Sequence, residues 1–347
     1  MVLHWRRWLT WAAGILVGAA FAHLVGWDIS GWFSRLWDTM TSISFAHLAA
    51  DCALRTVQTV ATAYAWYAIL KYAYPEGTRW MDVLAGYAVS VALNGILPAN
   101  LGSLVFLIML STTIVGATFA GILGGYAVEK IFFTLAGAFV YVYLFVTVGG
   151  SFDIKFSFFH EHPWTIVVLV AAGIYLLVGL FRRFWPRIVK WWDQAKDGGA
   201  ILAEPRKYFL RVFLPSFISW VAMLSAIGVM LDAYGIPVSF DTLMHVAGGN
   251  SLANVTSVTP GGAGVNQAFN VASLSHVATT EQSTAYSVGS QLINTAWNIL
   301  VGLVLMIWAW GWTGGKQLVT QSYEDAKKAQ AEQREKRREK KLAEGKA

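Results

Sequence analysis

From Val83 to Val128 the chain carries no Asp, Glu, Lys or Arg, and the same holds from Thr242 to Thr280. Runs of that length are foreign to soluble domains, which carry about 25% charged residues. Here 13% of residues are charged, 56% are hydrophobic and the mean hydropathy is +0.50. Further uncharged runs lie at Trp8–Trp27, Ile131–Phe152, Trp164–Phe181, Val212–Leu231 and Gln282–Gly315. Each suits a spanning helix, which needs roughly 20 apolar residues. The expected fold class is therefore an all-α integral membrane protein.

Topology follows from positive charge, because short cytoplasmic loops hold the excess of Lys and Arg. The loop 182–211 has Arg182, Arg183, Arg187, Lys190, Lys196, Arg206, Lys207 and Arg211 against Asp193, Asp197 and Glu204, which places it inside. Arg6 and Arg7 also start inside, and no small-x-small cleavage site precedes Trp27 and Asp28, so Trp8–Val25 is expected as a retained first helix. The net charge of +6 reads as orientation, not as nucleic-acid binding. Six crossings result: 8–25, 49–72, 120–148, 164–181, 212–231 and 285–312. Both termini are then cytoplasmic. The domains are a first helix with a Trp-rich interfacial segment (1–45), a membrane domain (46–313) and a charged tail (314–347). For the alternating charges after Tyr323, a solvated, frayed helix or disorder is expected, with attraction to anionic lipid as the alternative.

Two uncharged runs do not fit simple crossings. Asn94, Pro98, Asn100 and Gly102 interrupt the first, and the second contains Asn254-Val-Thr-Ser-Val-Thr-Pro260-Gly-Gly-Ala-Gly264-Val-Asn266-Gln267. Proline stops a helix and glycine permits a turn. Each run is read as a re-entrant broken hairpin, one entering from either side, because non-helical backbone at membrane depth needs protein or a wet cavity around it. A shift of 162 residues aligns Pro98 with Pro260, Gly102 with Gly264 and Glu129 with Gln291. With an odd crossing between the halves (49–148 and 211–312), the repeat is inverted. Paired broken helices in inverted halves point to a midplane substrate site.

Few residues carry chemistry. Asp51 and Arg55 share a helix face at i and i+4, as an interfacial ion pair or as a headgroup contact. Glu129 and Lys130 stand in an apolar stretch where an ionised group is costly. Adjacent helical residues diverge by about 100°, so Glu129 is expected to face inward without Lys130 as its partner, and Lys130 to snorkel. The turn Thr259-Pro260-Gly261-Gly262-Ala263-Gly264 is either a tight bend or an anion site of free N–H groups ahead of a helix starting at Val265. It is not a P-loop, since no Lys-Ser or Lys-Thr follows. His160-Glu161-His162 lacks the HExxH spacing, and Cys52 is the only cysteine. No metal site, cofactor or catalytic set is expected, and the chain is read as a non-enzyme.

At the two broken segments the chain resembles the lysylphosphatidylglycerol synthase transmembrane-region family. The residues that carry the likeness are Asn94, Pro98 and Gly102, then Glu129-Lys130, then Thr259-Pro260-Gly261-Gly262-Ala263-Gly264-Val265. Asn100 and Ser103 stand where the family often has Arg and Glu, and Gln291 or a neighbour replaces a basic residue of the last helix. The resemblance covers residues 45–313. It implies lipid translocation or a lipid-linked carrier role in a bacterial or archaeal cytoplasmic membrane, with too few residues after Trp312 for the soluble synthase domain. The expected path is Asn94, Pro98, Gly102, Glu129, Lys130, Thr259, Pro260, Gly261, Gly262, Gly264 and Asn266, with Asp51 and Arg55 as headgroup contacts. Membrane lipids are the expected partners. The leading expectation is a flippase or scramblase for a phospholipid or polyprenyl-linked lipid. Its rivals are a subunit presenting lipid to a separate glycosyl- or aminoacyl-transferase and an ion-coupled solute transporter.

Overall fold

The computed structural model describes residues 43–97, 101–148, 196–256, 259, 262 and 264–344, together with Asp38. Among the described residues there is no strand. The helices are α1 (Phe45–Ala73), α2 (Trp80–Ile96), α3 (Leu101–Thr113), α4 (Phe119–Val148), α5 (Pro205–Ala233), α6 (Phe240–Thr256), α7 (Val265–Leu274) and α8 (Thr280–Glu344). The expected crossings at 8–25 and 164–181 fall outside the described residues, as do Pro98, Pro260 and Gly261.

The starts of four helices are written locally. Ser44, Thr118, Ser239 and Thr279 precede α1, α4, α6 and α8. Their hydroxyls accept from the backbone N–H of His47, Gly121, Thr242 and Gln282 respectively, at 3.0–3.3 Å. Such caps satisfy donors that a helix start leaves open, a stabilisation of about 1 kcal/mol each. At α8 the Gln282 carboxamide also reaches back to the Thr279 N–H at 3.2 Å, completing a capping box.

Helix length separates crossings from hairpin arms. α2 and α6 have 17 residues each, α3 has 13 and α7 has 10. At 1.5 Å per residue none reaches the roughly 30 Å of the hydrocarbon layer. Phe119–Thr147, Pro205–Ala233 and the apolar part of Thr280–Glu332 are long and apolar enough to cross. α1 has the length, at 29 residues, but Asp51, Arg55 and Lys71 dilute its apolar character.

α1 lies mainly on α5, α2 and α3 pack on α8, α6 packs on α4 and α7 packs on α8. Thr62 and Ser219 meet across the α1–α5 contact at 2.6 Å, and Ser219 also donates to the Gln58 carbonyl at 3.2 Å. Small buried residues, among them Thr59 and Ala63 on α1 and Ser216 and Ala222 on α5, let these helices approach. Three pairs of helix ends lie 160 residues apart, Ala73 with Ala233, Trp80 with Phe240 and Ile96 with Thr256, whereas Leu101 and Val265 lie 164 apart and Phe119 and Thr280 lie 161 apart. Tyr74 and Tyr234, which end α1 and α5, press their hydroxyls against Gly121 of α4 and Gly289 of α8.

Two expectations need correction. The fifth crossing begins earlier than Val212, because α5 starts at Pro205 and takes a π-helical turn through Phe209–Phe213. The tail is not simply solvated. Gly311, at φ 70° and ψ 167°, breaks α8, and the second arm lays Ser322 and Ala326, both buried, on hairpin 1. Val105 and Met109 of α3 pack there with Leu318, Val319 and Tyr323. Apolar residues spaced along the start of the tail supply the contact that its charges conceal in the sequence.

Hairpin 1 depends on a close backbone approach at Gly102, where a Cβ would run into the Ser90 carbonyl and come 2.7 Å from Asn94 Oδ1. Gly102→Ala is expected to destabilise the protein by about 1–3 kcal/mol through overpacking. Gly137→Ala, where a Cβ meets nothing within 4 Å, should leave stability unchanged or slightly raised. Thermal unfolding of both variants in one detergent checks this.

At the C-terminal end of α1, Tyr72 donates to Glu204 Oε1 at 2.5 Å and Lys207 Nζ lies 2.7 Å from Oε2. The Lys207 ammonium, then the Tyr72 hydroxyl, hold the Glu204 carboxyl below the usual carboxylate range. A depressed carboxylate contributes stability above its unfolded pKa and loses it as pH falls through the folded value. The difference in thermal midpoint between the parent and Glu204→Gln should therefore be constant above about pH 5 and shrink on further acidification. A gap that widened on acidification would contradict this assignment.

Candidate functional site

The middle of the second half holds a polar cavity of about 290 Å³. That is far above the ~10–15 Å³ needed for one water. α1 contributes Arg55 and Gln58, α6 contributes Asn250 and Ser251, and α7 contributes Asn266 and Asn270. α8 adds Tyr286, Ser287, Ser290, Gln291 and Asn294, with Met223, Ile227 and Ala247 as apolar wall. Asn270 Nδ2 donates to Ser287 Oγ at 2.9 Å, yet among the described residues its Oδ1 finds no partner, and neither does the buried Ser290 Oγ. Buried polar atoms without partners mark a place for water or ligand.

A second, apolar groove of about 610 Å³ adjoins the same two helices. It is lined by Phe45, Leu48, Ala49, Cys52 and Ala53 of α1 and by Ile293, Ala296, Trp297 and Leu300 of α8. Trp297 Nε1 donates to Thr56 Oγ1 at 3.0 Å, fixing the seam between groove and cavity. α1 and α8 thus each turn one face to a polar chamber and the next face to an apolar one.

Asp51 and Arg55 stand at this seam. Arg55 Nε donates to Asp51 Oδ2 at 3.0 Å, and Asp51 is fully buried. The ion pair expected at i and i+4 is thus present, and it is enclosed by neighbouring helices. The pair presents Arg55 to the cavity without a net charge. One turn earlier, His47 Nε2 lies 3.0 Å from Asp232 Oδ2 and ties the N-terminal end of α1 to α5.

Among the described residues, Asn266 joins Arg55 in this chamber, while Asn94, Gly102, Glu129, Lys130, Thr259, Gly262 and Gly264 do not line it. Asn94 accepts from the Ser103 N–H at 3.2 Å and donates to Ser103 Oγ at 3.0 Å, clamping α2 to the start of α3 beside Gly102. Glu129 is buried and lies within electrostatic reach of Tyr87 and Tyr208, away from the cavity lining. Contrary to expectation, Lys130 is its partner: Nζ comes within 3.0 Å of Glu129 Oε2 and stands 5.0 Å and 5.3 Å from the rings of Tyr126 and Phe133. The long Lys stem wraps around the helix and overcomes the divergence of adjacent Cα–Cβ vectors.

In the second hairpin, Gly262 and Gly264 take positive φ of 72° and 83°, which glycine alone adopts readily. Their N–H groups are already used, Gly262 on the Thr259 carbonyl at 3.1 Å and Gly264 on Gln267 Oε1 at 2.7 Å. Gln267 in turn donates to Gln291 Oε1 at 2.5 Å. This turn is a bracket between α7 and α8. Of the expected residues, Asn266 and Arg55 line the cavity. Gln58, Asn250, Asn270, Ser287, Ser290 and Asn294 were not anticipated, although Asn266/Asn270 and Ser287/Gln291/Asn294 fall on single helix faces at i, i+4 and i+7.

This architecture defines a multi-pass α-helical membrane protein with a polar chamber inside its helices. Residues 11–302 match the family described as the lysylphosphatidylglycerol synthase TM region, and the chain belongs to that family. It is a membrane domain associated with lipid handling. No curated protein and no solved structure matches the chain.

Removing one member of a buried pair leaves the other uncompensated. Arg55→Gln is expected to cost about 3 kcal/mol, and Asp51→Asn combined with it should recover most of that loss. Unfolding midpoints of the single and double variants give the test, and equal losses in both would show that the charge pairing is immaterial.

Proposed function

We propose that the protein moves a lipid across the cytoplasmic membrane of a bacterium or archaeon, as a flippase or scramblase that needs no catalytic residues of its own. The observation that carries this reading is the polar cavity and the apolar groove side by side on α1 and α8, which match the two ends of one amphiphile. The headgroup lies among amides, hydroxyls and the neutralised Arg55, and the acyl or prenyl chains lie along Cys52, Ala53, Ala296 and Leu300. A lining of amides with no net charge favours a polar part rich in hydroxyl and phosphoryl oxygens, such as a phospholipid or a polyprenyl-linked lipid. Both termini are cytoplasmic in this reading. The rival role, presenting lipid to a separate transferase, uses the same chamber and differs in needing a partner.

The experiment places purified protein in liposomes with a labelled phospholipid and follows loss of label to an impermeant reductant. Asn270→Leu and Gln291→Leu replace hydrogen-bonding groups of the cavity by apolar bulk and should slow transfer at least about tenfold, as unpaired headgroup oxygens cost 1–3 kcal/mol. Leu303→Ala, on an exposed face of α8, should transfer at the parental rate. Folded cavity variants that transfer at the parental rate would exclude the cavity as the path. Parent protein inert alone but active with an added transferase would favour the presenting role.

A further inference from the structure

At the outer end of the second hairpin, Asp241 and His245 lie one turn apart at the start of α6, and His276 follows the last residue of α7. One ring nitrogen from each histidine and a carboxylate oxygen of Asp241 lie within 4.8 Å of one another. His245 Nδ1 is 3.2 Å and His276 Nε2 is 3.5 Å from the same oxygen, Asp241 Oδ2. The two rings are 4.7 Å apart between centroids, tilted by 46°.

We propose that Asp241, His245 and His276 form a binding site for a divalent first-row transition metal of the zinc class. A tetrahedral ion with ligand bonds of roughly 2.0–2.1 Å separates its ligand atoms by about 3.3 Å. The two measured Asp–His separations already have that length. Two imidazoles and one carboxylate are a donor set suited to zinc, nickel, copper or iron, and a poor one for magnesium or calcium. His245 Nδ1 lies 2.9 Å from the Asp241 carbonyl oxygen and 3.2 Å from Asp241 Oδ2, and a metal on that nitrogen takes the place of a proton shared with these oxygens. The second carboxylate oxygen is not idle: Tyr143 of α4 donates to Oδ1 at 3.2 Å, the kind of outer contact that orients a ligating carboxylate. Asp241 and His276 are half exposed, which gives the ion a route from the aqueous side.

Three protein ligands leave the fourth position to water. The ion would tie the outer ends of both arms of the hairpin to each other and, through Tyr143, to α4. Sequence inspection alone passed this set over, because His276 is remote from Asp241 in the chain and the three residues match no zinc spacing. The inference does not depend on lipid transfer.

Full-length protein, stripped of chelators and of any histidine tag, is titrated with Co(II) and Zn(II) in detergent. The expected result is one Co(II) per chain with visible ligand-field absorption that Zn(II) displaces, and a thermal midpoint that rises with Zn(II) concentration. His276→Ala, in an exposed turn, should weaken binding at least about 100-fold, and Tyr143→Phe about tenfold. Asp241→Asn serves as the second ligand variant should His276→Ala fold poorly. Absence of the absorption in the parent overturns the proposal. Loss of the signal in a His160→Ala/His162→Ala variant while His276→Ala retains it overturns it as well.

Discussion

A peptide N–H or C=O in hydrocarbon has no water to bond, so a helix that stops halfway through a bilayer must be received by protein. The second hairpin shows how this is met. Gly262 returns its N–H to Thr259, Gly264 gives its own to Gln267, and Gln267 passes the connection to Gln291 of α8. In the first hairpin the Asn94 carboxamide takes the Ser103 N–H at the start of α3. The short arms, the small residues that bring α2 against α3, and the contact of both hairpins with α8 all serve this requirement. The polar cavity adjoins this bracket: Gln291, which anchors Gln267, also lines the space between α1, α6, α7 and α8.

Much of this was legible in residue order. Uncharged runs marked α4, α5 and the first arm of α8, and the Pro and Gly interruptions separated α2 from α3 and α6 from α7. The start of α7 at Val265 and the 119–148 extent of α4 agree with the expected helix start and crossing. The 162-residue shift lies within the 160–164 spread of corresponding helix ends, because turn and helix lengths differ slightly between the halves.

The site was harder to read. Charged and turn residues draw attention in an apolar sequence, yet Asn94 and Gly102 hold hairpin 1 together, and Glu129 with Lys130 sits away from the cavity lining. The lining amides and serines are unremarkable one at a time. They gain meaning only when α1, α7 and α8 are brought around one space, which depends on tertiary packing that no local pattern encodes. Arg55 escaped misreading only in part: its i, i+4 partner was evident, but the burial of Asp51 comes from α1 being surrounded by other helices.

The break at Gly311 has a practical meaning for where the chain can be shortened. Everything after it resembles a dispensable charged extension, dense in Lys, Arg and Glu. Yet Leu318, Val319, Tyr323 and Ala326 cover Val105 and Met109 of α3. Shortening at the glycine strips that cover and leaves a greasy flank on the first hairpin, whereas shortening beyond Lys328 removes charge alone. The boundary of the membrane domain, judged by what it shields and not by hydropathy, lies about four helical turns past the last tryptophan.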